Sequence, residues 1–246
     1  MPEIIKFINT WGELTTDLFP PEPAYKNVPQ WYKDLNSYLG EEKKPSGDGK
    51  TTATIKRCMP VFDVINLGYI LKSPADIFVS QIEVKDDNGV VLGKSPYYEW
   101  AHFDLLSFHP VSQAVTHPYR KSLTEYSTFP KWENPWAIIT PPGYSCLFVA
   151  PFHKESVFEI MPGIVDTDNY HNAVNFPFVL KDWSFEGIIP AGTEIAQVIP
   201  FKRDNFQMEI SDKEEDLITL KKQWMRLRSR FFDSYKSQWR VTKSYK

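Results

Sequence analysis

The chain has 246 residues, of which 42% are apolar and 24% are charged, and its formal net charge is −3. These values exclude a chain that is disordered throughout, and the length suits one main domain with added terminal segments. Because there is no apolar run of roughly 18 residues and no signal-peptide pattern, we expect a soluble protein that is not inserted in a membrane. The 20 prolines against 11 glycines favour short strands joined by stiff turns, and therefore a mainly β fold.

Residues 1–50 are predicted to form an extended arm that ends in a polar loop. The prolines between Pro20 and Pro29 disfavour a helix or a central strand before Trp31. The arm carries aromatic side chains that are costly to leave in water, namely Phe19, Tyr25, Trp31 and Tyr32. We therefore expect the arm to lie in a groove of its own domain or of a neighbouring subunit.

Residues 51–210 are predicted to form a β-rich body. The segment ATIKRCMPVFDVI at 53–65 has the composition of a strand, and the Asp-Asn-Gly stretch at 87–89 separates two alternating apolar runs, which predicts a hairpin. From residue 136 onward, strand and turn signals recur about every ten residues, as in a small sandwich or barrel. The stretch 97–135 is rich in aromatic residues and interrupted by prolines, and its pattern assigns no particular helix or strand.

The cysteines are Cys58 and Cys146, and both lie in apolar, strand-like stretches. Such a pair favours neither a disulfide framework nor a thiolate metal site. We therefore expect both as buried free thiols.

Residues 211–246 are predicted to form a basic amphipathic helix and tail, with one long helix over 212–238. Ser211 and Glu214 have the spacing of a capping box. Apolar residues then recur at steps of three and four, as on one face of a helix: Leu217, Leu220, Trp224, Leu227 and Phe231. Residues 221–246 carry a net charge of +8, so the rest of the chain carries −11. The helix therefore either docks on the chain's own acidic body or contacts nucleic acid or another acidic surface.

Three stretches of the body, ITPPGYSCLFVAP, PGIVDTDNY and IIPAGTEIAQVIPF, follow one another between residues 139 and 203. In their order and approximate spacing they resemble three successive motifs of the dUTP pyrophosphatase and dCTP deaminase family. The resemblance implies a β-clip core, which in that family often assembles as a trimer.

By this resemblance Asp166 takes the position of the family's catalytic carboxylate, which holds the sugar hydroxyl and orients the attacking water. Tyr170 falls near the tyrosine that stacks on the nucleoside, displaced by the extra residue Asn169. The residues by themselves leave a second interpretation open, in which the aspartates only cap backbone N–H groups of a strand connection.

The phosphate-binding parts depart from the family. Lys154 and Ser156 fall where the family has Arg-Ser-Ser, and each could make one phosphate contact, but Glu155 between them would repel a triphosphate. Gln197 keeps its place in the last motif and is the remaining candidate for substrate binding. The glycine-rich arm that closes over the nucleotide in dUTP pyrophosphatases is replaced by the basic helix.

A second resemblance covers more of the chain, through PPEPAYKNVPQWYKDL, TIKRCMPVFDVINLGYIL, the strand block and the aromatic and basic tail. These stretches are similar to an uncharacterised family encoded by tailed phages, including phages of marine cyanobacteria. The similarity implies a viral origin, and hence a place in the cytoplasm of the infected host or in the virion.

Three functions follow as hypotheses. The first is a non-catalytic binding or virion-associated structural protein, because what survives of the motifs makes the fold and what is lost binds phosphate. The second is a nucleotide-directed hydrolase or deaminase relative that uses Asp166 and Mg²⁺. The third is a regulator of a host or phage protein. The expected partners are further copies of the chain in a three-fold assembly, a virion or host protein, and nucleic acid through the basic helix.

His102 and Asp104 form a His-x-Asp pair, with which some iron oxygenases begin their metal site. His109, His117, His153 or His171 could in principle complete it, but none of them is followed about ten residues later by an arginine in a convincing strand. A hydrogen-bonded pair in an aromatic segment is therefore the favoured interpretation. We expect no metal and no cofactor, except Mg²⁺ if the hydrolase hypothesis holds.

Overall fold

The computed structural model describes residues 3–12, 19–40, 52–101, 104–114, 129–229 and 234–246, and it is mainly β. The strands of the first half are β1 Lys6–Asn9, β2 Glu22–Pro23, β3 Tyr69–Lys72, β4 Ile77–Lys85, β5 Val91–Glu99, β6 Leu106–His109 and β7 Phe129–Trp132. Those of the second half are β8 Trp136–Ile139, β9 Tyr144–Val149, β10 Phe158–Ile160, β11 Gly163–Val165, β12 Phe176–Leu180, β13 Gly187–Ile189 and β14 Glu194–Lys202. The helices are α1 Gln30–Asp34, α2 Met59–Ile65, α3 Glu214–Ser229 and α4 Ser234–Gln238, with 3-10 turns at Ala24–Asn27, Ile55–Arg57 and Val111–Ala114.

The chain divides into two compact units. The first comprises Met1–Pro23 and Gly68–Arg203, and the second comprises Ala24–Leu67 and Asp204–Lys246. The division into arm, body and helix at 1–50, 51–210 and 211–246 stays a prediction. In the described part of the chain, no helix has the length and apolar character needed to cross a membrane.

A five-stranded antiparallel sheet of the first unit carries the candidate site. Its strand order is β11-β9-β14-β3-β2. The central strand β14 pairs with β9 from Gln197↔Val149 to Lys202↔Tyr144. β11 borders β9 on the other side, where Val165 pairs with Cys146. The turn that follows β11 is thereby placed beside the first residues of β9.

The core of the first unit lies between this sheet and a second one of order β10-β12-β7-β6. Phe148 of β9 packs on Phe176 of β12, with ring centroids 5.4 Å apart. Trp132, Phe158 and Phe178 form an aromatic cluster in the second sheet, with centroid separations of 5.2 to 5.4 Å. Large rings buried in this way contribute much of the apolar area that stabilises a β fold.

The hairpin predicted at 87–89 is confirmed. β4 and β5 pair along their length with a bulge between Val84 and Lys85, and Gly89 takes a φ of +81° in the turn. The carboxylate of Asp86 accepts hydrogen bonds from the backbone N–H groups of Asn88 at 2.9 Å and Val90 at 2.8 Å. The side chain therefore fixes the turn that the Asn-Gly pair permits.

The prediction of a strand at 53–65 is wrong, because this stretch forms a 3-10 turn and then helix α2. Pro60 lies in the first turn of α2, where its missing N–H is not required by the helix. Cys58, expected to be buried, is exposed at the start of α2, whereas Cys146 is buried as expected. Both thiols are free.

The arm lies partly on the chain itself. β2 pairs with β3, and Phe19 packs over Gly192, so close that a Cβ at Gly192 would lie 2.8 Å from the ring. The extended conformation ends earlier than expected, with the 3-10 turn at Ala24–Asn27. Tyr32 of α1 is buried and donates a hydrogen bond to the carbonyl of Lys56 at 3.2 Å.

The expected capping box is wrong. The helix expected over 212–238 is described as α3 and α4, and residues 230–233 between them lie outside the described residues. α3 begins at Glu214, and its first backbone bond runs from Leu217 to the carbonyl of Lys213, while the Ser211 hydroxyl bonds to the carboxylate of Asp216. Tyr235 of α4 lines the same groove as Leu217. A continuous helix would place residues 18 positions apart about 27 Å from each other along its axis, so α4 lies back along α3.

Candidate functional site

The turn after β11 is closed by its own backbone. The carbonyl of Asp166 accepts hydrogen bonds from the N–H groups of Asn169 at 2.9 Å and Tyr170 at 2.8 Å. The extra residue Asn169 is therefore accommodated inside the turn. Tyr170 follows directly and its side chain is 48% exposed.

Asp166 points its carboxylate outward beside the start of β9. Its Oδ1 accepts a hydrogen bond from the hydroxyl of Ser145 at 2.6 Å and lies 3.3 Å from Nη1 of Arg203. The side chain is nevertheless 59% exposed. Asp166 is thus held by two side chains and still accessible from solvent.

Asp168 is the buried carboxylate of the turn, with a side chain only 7% exposed. Its Oδ2 accepts a hydrogen bond from the N–H of Gly143 at 2.8 Å, and its Oδ1 accepts one from Nη1 of Arg203 at 2.8 Å. A second bond from Nη2 of Arg203 makes the pair bidentate. The hydrogen bonds from Arg203, more than any other cause, lower the pKa of Asp168 to about 2.

Arg203 organises this cluster, and sequence reasoning did not select it. It lies directly after β14, and its backbone N–H donates to the carbonyl of Gly143 at 2.8 Å. Its Nη1 also donates to the carbonyl of Tyr144 at 2.9 Å and to Oγ of Ser145 at 3.0 Å. The guanidinium therefore joins both aspartates of the turn to the beginning of β9. No local pattern marks Arg203, because Asp168 is 35 residues away in sequence.

A buried polar layer lies beneath the turn. The hydroxyls of Thr140 and Thr167 are 2.7 Å apart, and the hydroxyl of Thr167 donates to Sγ of Cys146 at 3.4 Å. Burial raises the pKa of Cys146 to about 11, so the thiol is neutral at physiological pH. A neutral buried thiol is a poor nucleophile, and this layer is a support for the turn.

The structure places the other candidates apart from Asp166. Gln197 pairs with Val149, which is three residues along β9 from the partner of Val165, a separation of roughly 10 Å. Lys154 donates to both carboxylate oxygens of Glu194, one of them at 2.6 Å. The side chains of this pair are only 14% and 22% exposed.

Two of these candidates serve the local fold. Oε1 of the buried Gln197 accepts the backbone N–H of Phe152 at 3.0 Å. Oγ of Ser156 accepts the N–H of Phe158 at 3.3 Å. Ser156 and Lys154 line a cavity of about 360 Å³ whose other walls are largely apolar. The structure thus forms two separate clusters, one around Asp166 and one around Lys154.

The metal candidates do not form a described site. His102 lies outside the described residues, and Asp104 is exposed just before β6. Among the residues that the structure describes, no group of three or more His, Cys, Asp and Glu side chains could hold a metal ion.

Comparison with known proteins gives a distant likeness to a solved structure. No protein-family model matches the chain, and no curated protein matches it. Among solved structures, a mutant dUTPase from phage phi11 of S. aureus, described for its coordination of a structural Mg(II) ion, matches at 14% identity and a TM-score of 0.27. The match covers 45% of this chain and 98% of that chain. A likeness at this TM-score does not establish a shared fold.

Proposed function

We propose that the chain is a phage protein with a non-catalytic binding or virion-associated structural role, built on a dUTPase-like β-clip. The observation that carries the proposal is that both cations that could bind phosphate already form ion pairs within the chain. Arg203 is held by Asp168, and Lys154 is held by Glu194.

Pyrophosphate hydrolysis needs several donors around the transferring charge as well as a carboxylate that orients water. A cation that is already paired with a half-buried carboxylate has to leave that partner before it can bind phosphate, and the partner is then left uncompensated. Glu155, beside Lys154, adds a like charge to any bound triphosphate. The carboxylate of Asp166 remains, and the two candidate cations, Arg203 and Lys154, are already paired.

The alternative function is a nucleotide-directed hydrolase that uses Asp166, with Mg²⁺ as its metal. The exposure of Asp166 favours it, because a carboxylate that is 59% exposed and touches the Ser145 hydroxyl can reach a water molecule. In this alternative Tyr170 would contact the nucleoside.

Self-association is part of the proposal. The resemblance to the dUTP pyrophosphatase motifs supports three-fold assembly of the body, and the exposed apolar side chains of α3 support a further contact. The partners would be other copies of the chain, a virion or host protein, and nucleic acid through the basic residues of 221–246. The place of action would be the infected host's cytoplasm or the virion.

Calorimetric titration of the full chain with dUTP and Mg²⁺ tests the non-catalytic assignment. We expect no saturable binding up to about 1 mM nucleotide, which corresponds to less than about 4 kcal/mol. Tight binding that Lys154→Ala abolishes and Lys131→Ala leaves intact would show that Lys154 is available to phosphate, and would remove the observation on which the non-catalytic assignment depends. Lys131 is a matched control because it forms a similar ion pair with Glu133, at 3.3 Å. Mass spectrometry of purified virions tests the structural role, which predicts peptides of this chain in the particle.

A further inference from the structure

Helix α3 presents its apolar residues to solvent instead of to a core. Leu217, Leu220 and Trp224 are 46%, 60% and 55% exposed. Tyr235 and Trp239, from α4 and the residue after it, border the same surface and are 42% and 37% exposed. Together these side chains line an apolar groove of about 440 Å³. An open groove of this kind on a charged helix is typical of a contact surface.

The apolar surface continues ahead of the helix. Phe206, Met208 and Ile210 alternate with polar residues and are 92%, 85% and 87% exposed. The second unit therefore carries a longer apolar stretch than a single solvated helix requires.

The charges of α3 indicate what that partner is. The first turn is acidic, with Glu214, Glu215 and Asp216. The second half is basic, with Lys221, Lys222, Arg226 and Arg228. Two such helices side by side in parallel would align like charges, whereas an antiparallel pair sets the acidic start of each against the basic end of the other.

The spacing of the apolar residues fits the same arrangement. Leu217, Leu220, Trp224 and Leu227 occupy the first and fourth positions of two successive heptads. If two helices cross antiparallel about position 222, Leu220 of each copy lies opposite Trp224 of the other. Positions 214 and 228 are two heptads apart in the sequence, so helical spacing puts them on one flank of the helix, and position 214 of each copy would then face position 228 of the other.

We propose that α3 is a docking surface for a second copy of this chain, with the two helices antiparallel about a two-fold axis. The exposed face of each helix fills the groove of the other. The inference deepens the self-association in the proposed function, but it involves none of the residues around Asp166 or Lys154. Nucleotide titration and the mass measurements below can therefore fail independently.

The first test is the molar mass of the full chain by sedimentation equilibrium at about 50 μM, a concentration at which a micromolar contact is populated. We expect Leu220→Asp to halve the molar mass of the wild type. Ile218→Asp is the matched control, because Ile218 is 43% exposed on the opposite side of the same helix and its variant should keep the wild-type mass. Circular dichroism checks that both variants keep their helix.

The second test is charge reversal across the pair. Glu214→Lys should weaken association about tenfold, since both symmetry-related ion pairs become repulsive. Adding Arg228→Glu should restore most of the affinity, whereas Glu215→Lys, on the opposite side of α3, should have little effect. Parallel helices would give no rescue, because residue 214 would then face residue 214.

Three results would overturn the proposal. One is a wild-type chain that stays monomeric at 50 μM, whether α3 then packs on its own β body or binds a DNA oligonucleotide through its lysines. Another is a molar mass that Leu220→Asp leaves unchanged or that Ile218→Asp lowers equally. The third is a charge-reversed double variant as weak as Glu214→Lys alone.

Discussion

Arg203 donates to both carboxylate oxygens of Asp168, with Nη1 and Oδ1 2.8 Å apart, and thereby joins the end of β14 to the turn after β11. The same guanidinium lies 3.3 Å from Oδ1 of Asp166. The residue that the family resemblance assigns to catalysis thus lies at the edge of an ion-pair cluster that holds the sheet together.

The ion pair of Asp168 predicts a specific acid sensitivity. Its pKa in the folded chain is about 2, below the 3.8 of an unperturbed aspartate. The stabilisation is therefore fully present above about pH 4 and is lost as the pH falls toward 2. In urea titrations between pH 2 and 6, Asp168→Asn should be less stable than the wild type at pH 6 and should vary less with pH. Asp212→Asn is the control, because it removes an exposed carboxylate before α3, and it should retain the wild-type pH dependence. If Asp168→Asn also retained that dependence, the low pKa of Asp168 would not be the cause of the acid sensitivity.

Asp166 and Ser145 should differ in their effect on stability. Asparagine at 166 keeps an oxygen that can accept the Ser145 hydroxyl, and the site is mostly exposed, so Asp166→Asn should cost less than about 1 kcal/mol. Ser145 is fully buried, donates to Asp166 and accepts from Arg203. Ser145→Ala should therefore cost about 1–3 kcal/mol in urea unfolding. The reverse order of the two losses would show that Asp166 holds the turn by itself.

Alanine substitutions at two glycines with similar φ angles distinguish a steric clash from backbone strain. Gly68 has a φ of +71°, and a Cβ there would lie 2.0 Å from the carbonyl oxygen of Val198 in β14. Gly89 has a φ of +81° and open space around it. Gly89→Ala should cost about 1–2 kcal/mol, the strain of a left-handed residue, whereas Gly68→Ala should cost more than about 3 kcal/mol or prevent folding. Thermal denaturation of the two variants measures both losses of stability. Equal losses would contradict the close approach of Gly68 to Val198.

Substitution of Asp63 should weaken the contact of Arg240 and Lys243 with α2. Arg240 donates to Asp63 through Nη2 at 2.7 Å, Lys243 lies 3.0 Å from the same carboxylate, and the guanidinium stacks on Phe62. The hydrogen bond from Arg240 is the largest cause that lowers the pKa of Asp63, so this contact is present at neutral pH and weakens as Asp63 is protonated in acid. We expect Asp63→Asn to speed amide exchange in Ser234–Gln238 about tenfold at neutral pH, a loss of roughly 1.4 kcal/mol. Asp34→Asn, which affects a bond within α1, should leave that exchange unchanged; equal exchange in all three proteins would count against the contact.

The mainly β character and the hairpin at 87–89 could be predicted because both depend on local pattern. α2 could not, since apolar residues around Pro60 read equally well as a strand, and a proline suits either a strand edge or the first turn of a helix. The sequence also did not indicate that α3 and α4 are separate elements, because no proline or glycine lies between residues 214 and 238.

The candidate site was predicted only in part. The positions of Asp166 and Tyr170 follow from their motif, and the structure brings them into one turn. Arg203 was missed because its partner is distant in sequence, and no pattern of residue types records which charges pair across a sheet. The pairing of Lys154 with Glu194 was missed for the same reason, although it decides whether a cation is available for phosphate.

The proposed function requires that Asp166 serves the strand connection after β11 and performs no catalysis. Its most direct test is the release of pyrophosphate from each common deoxynucleoside triphosphate by the purified full chain with Mg²⁺. We expect that release does not exceed the protein-free rate and is the same for the wild type and Asp166→Asn. Release above that rate by the wild type, lost in Asp166→Asn and kept in Lys131→Ala, would contradict the non-catalytic proposal and support the hydrolase.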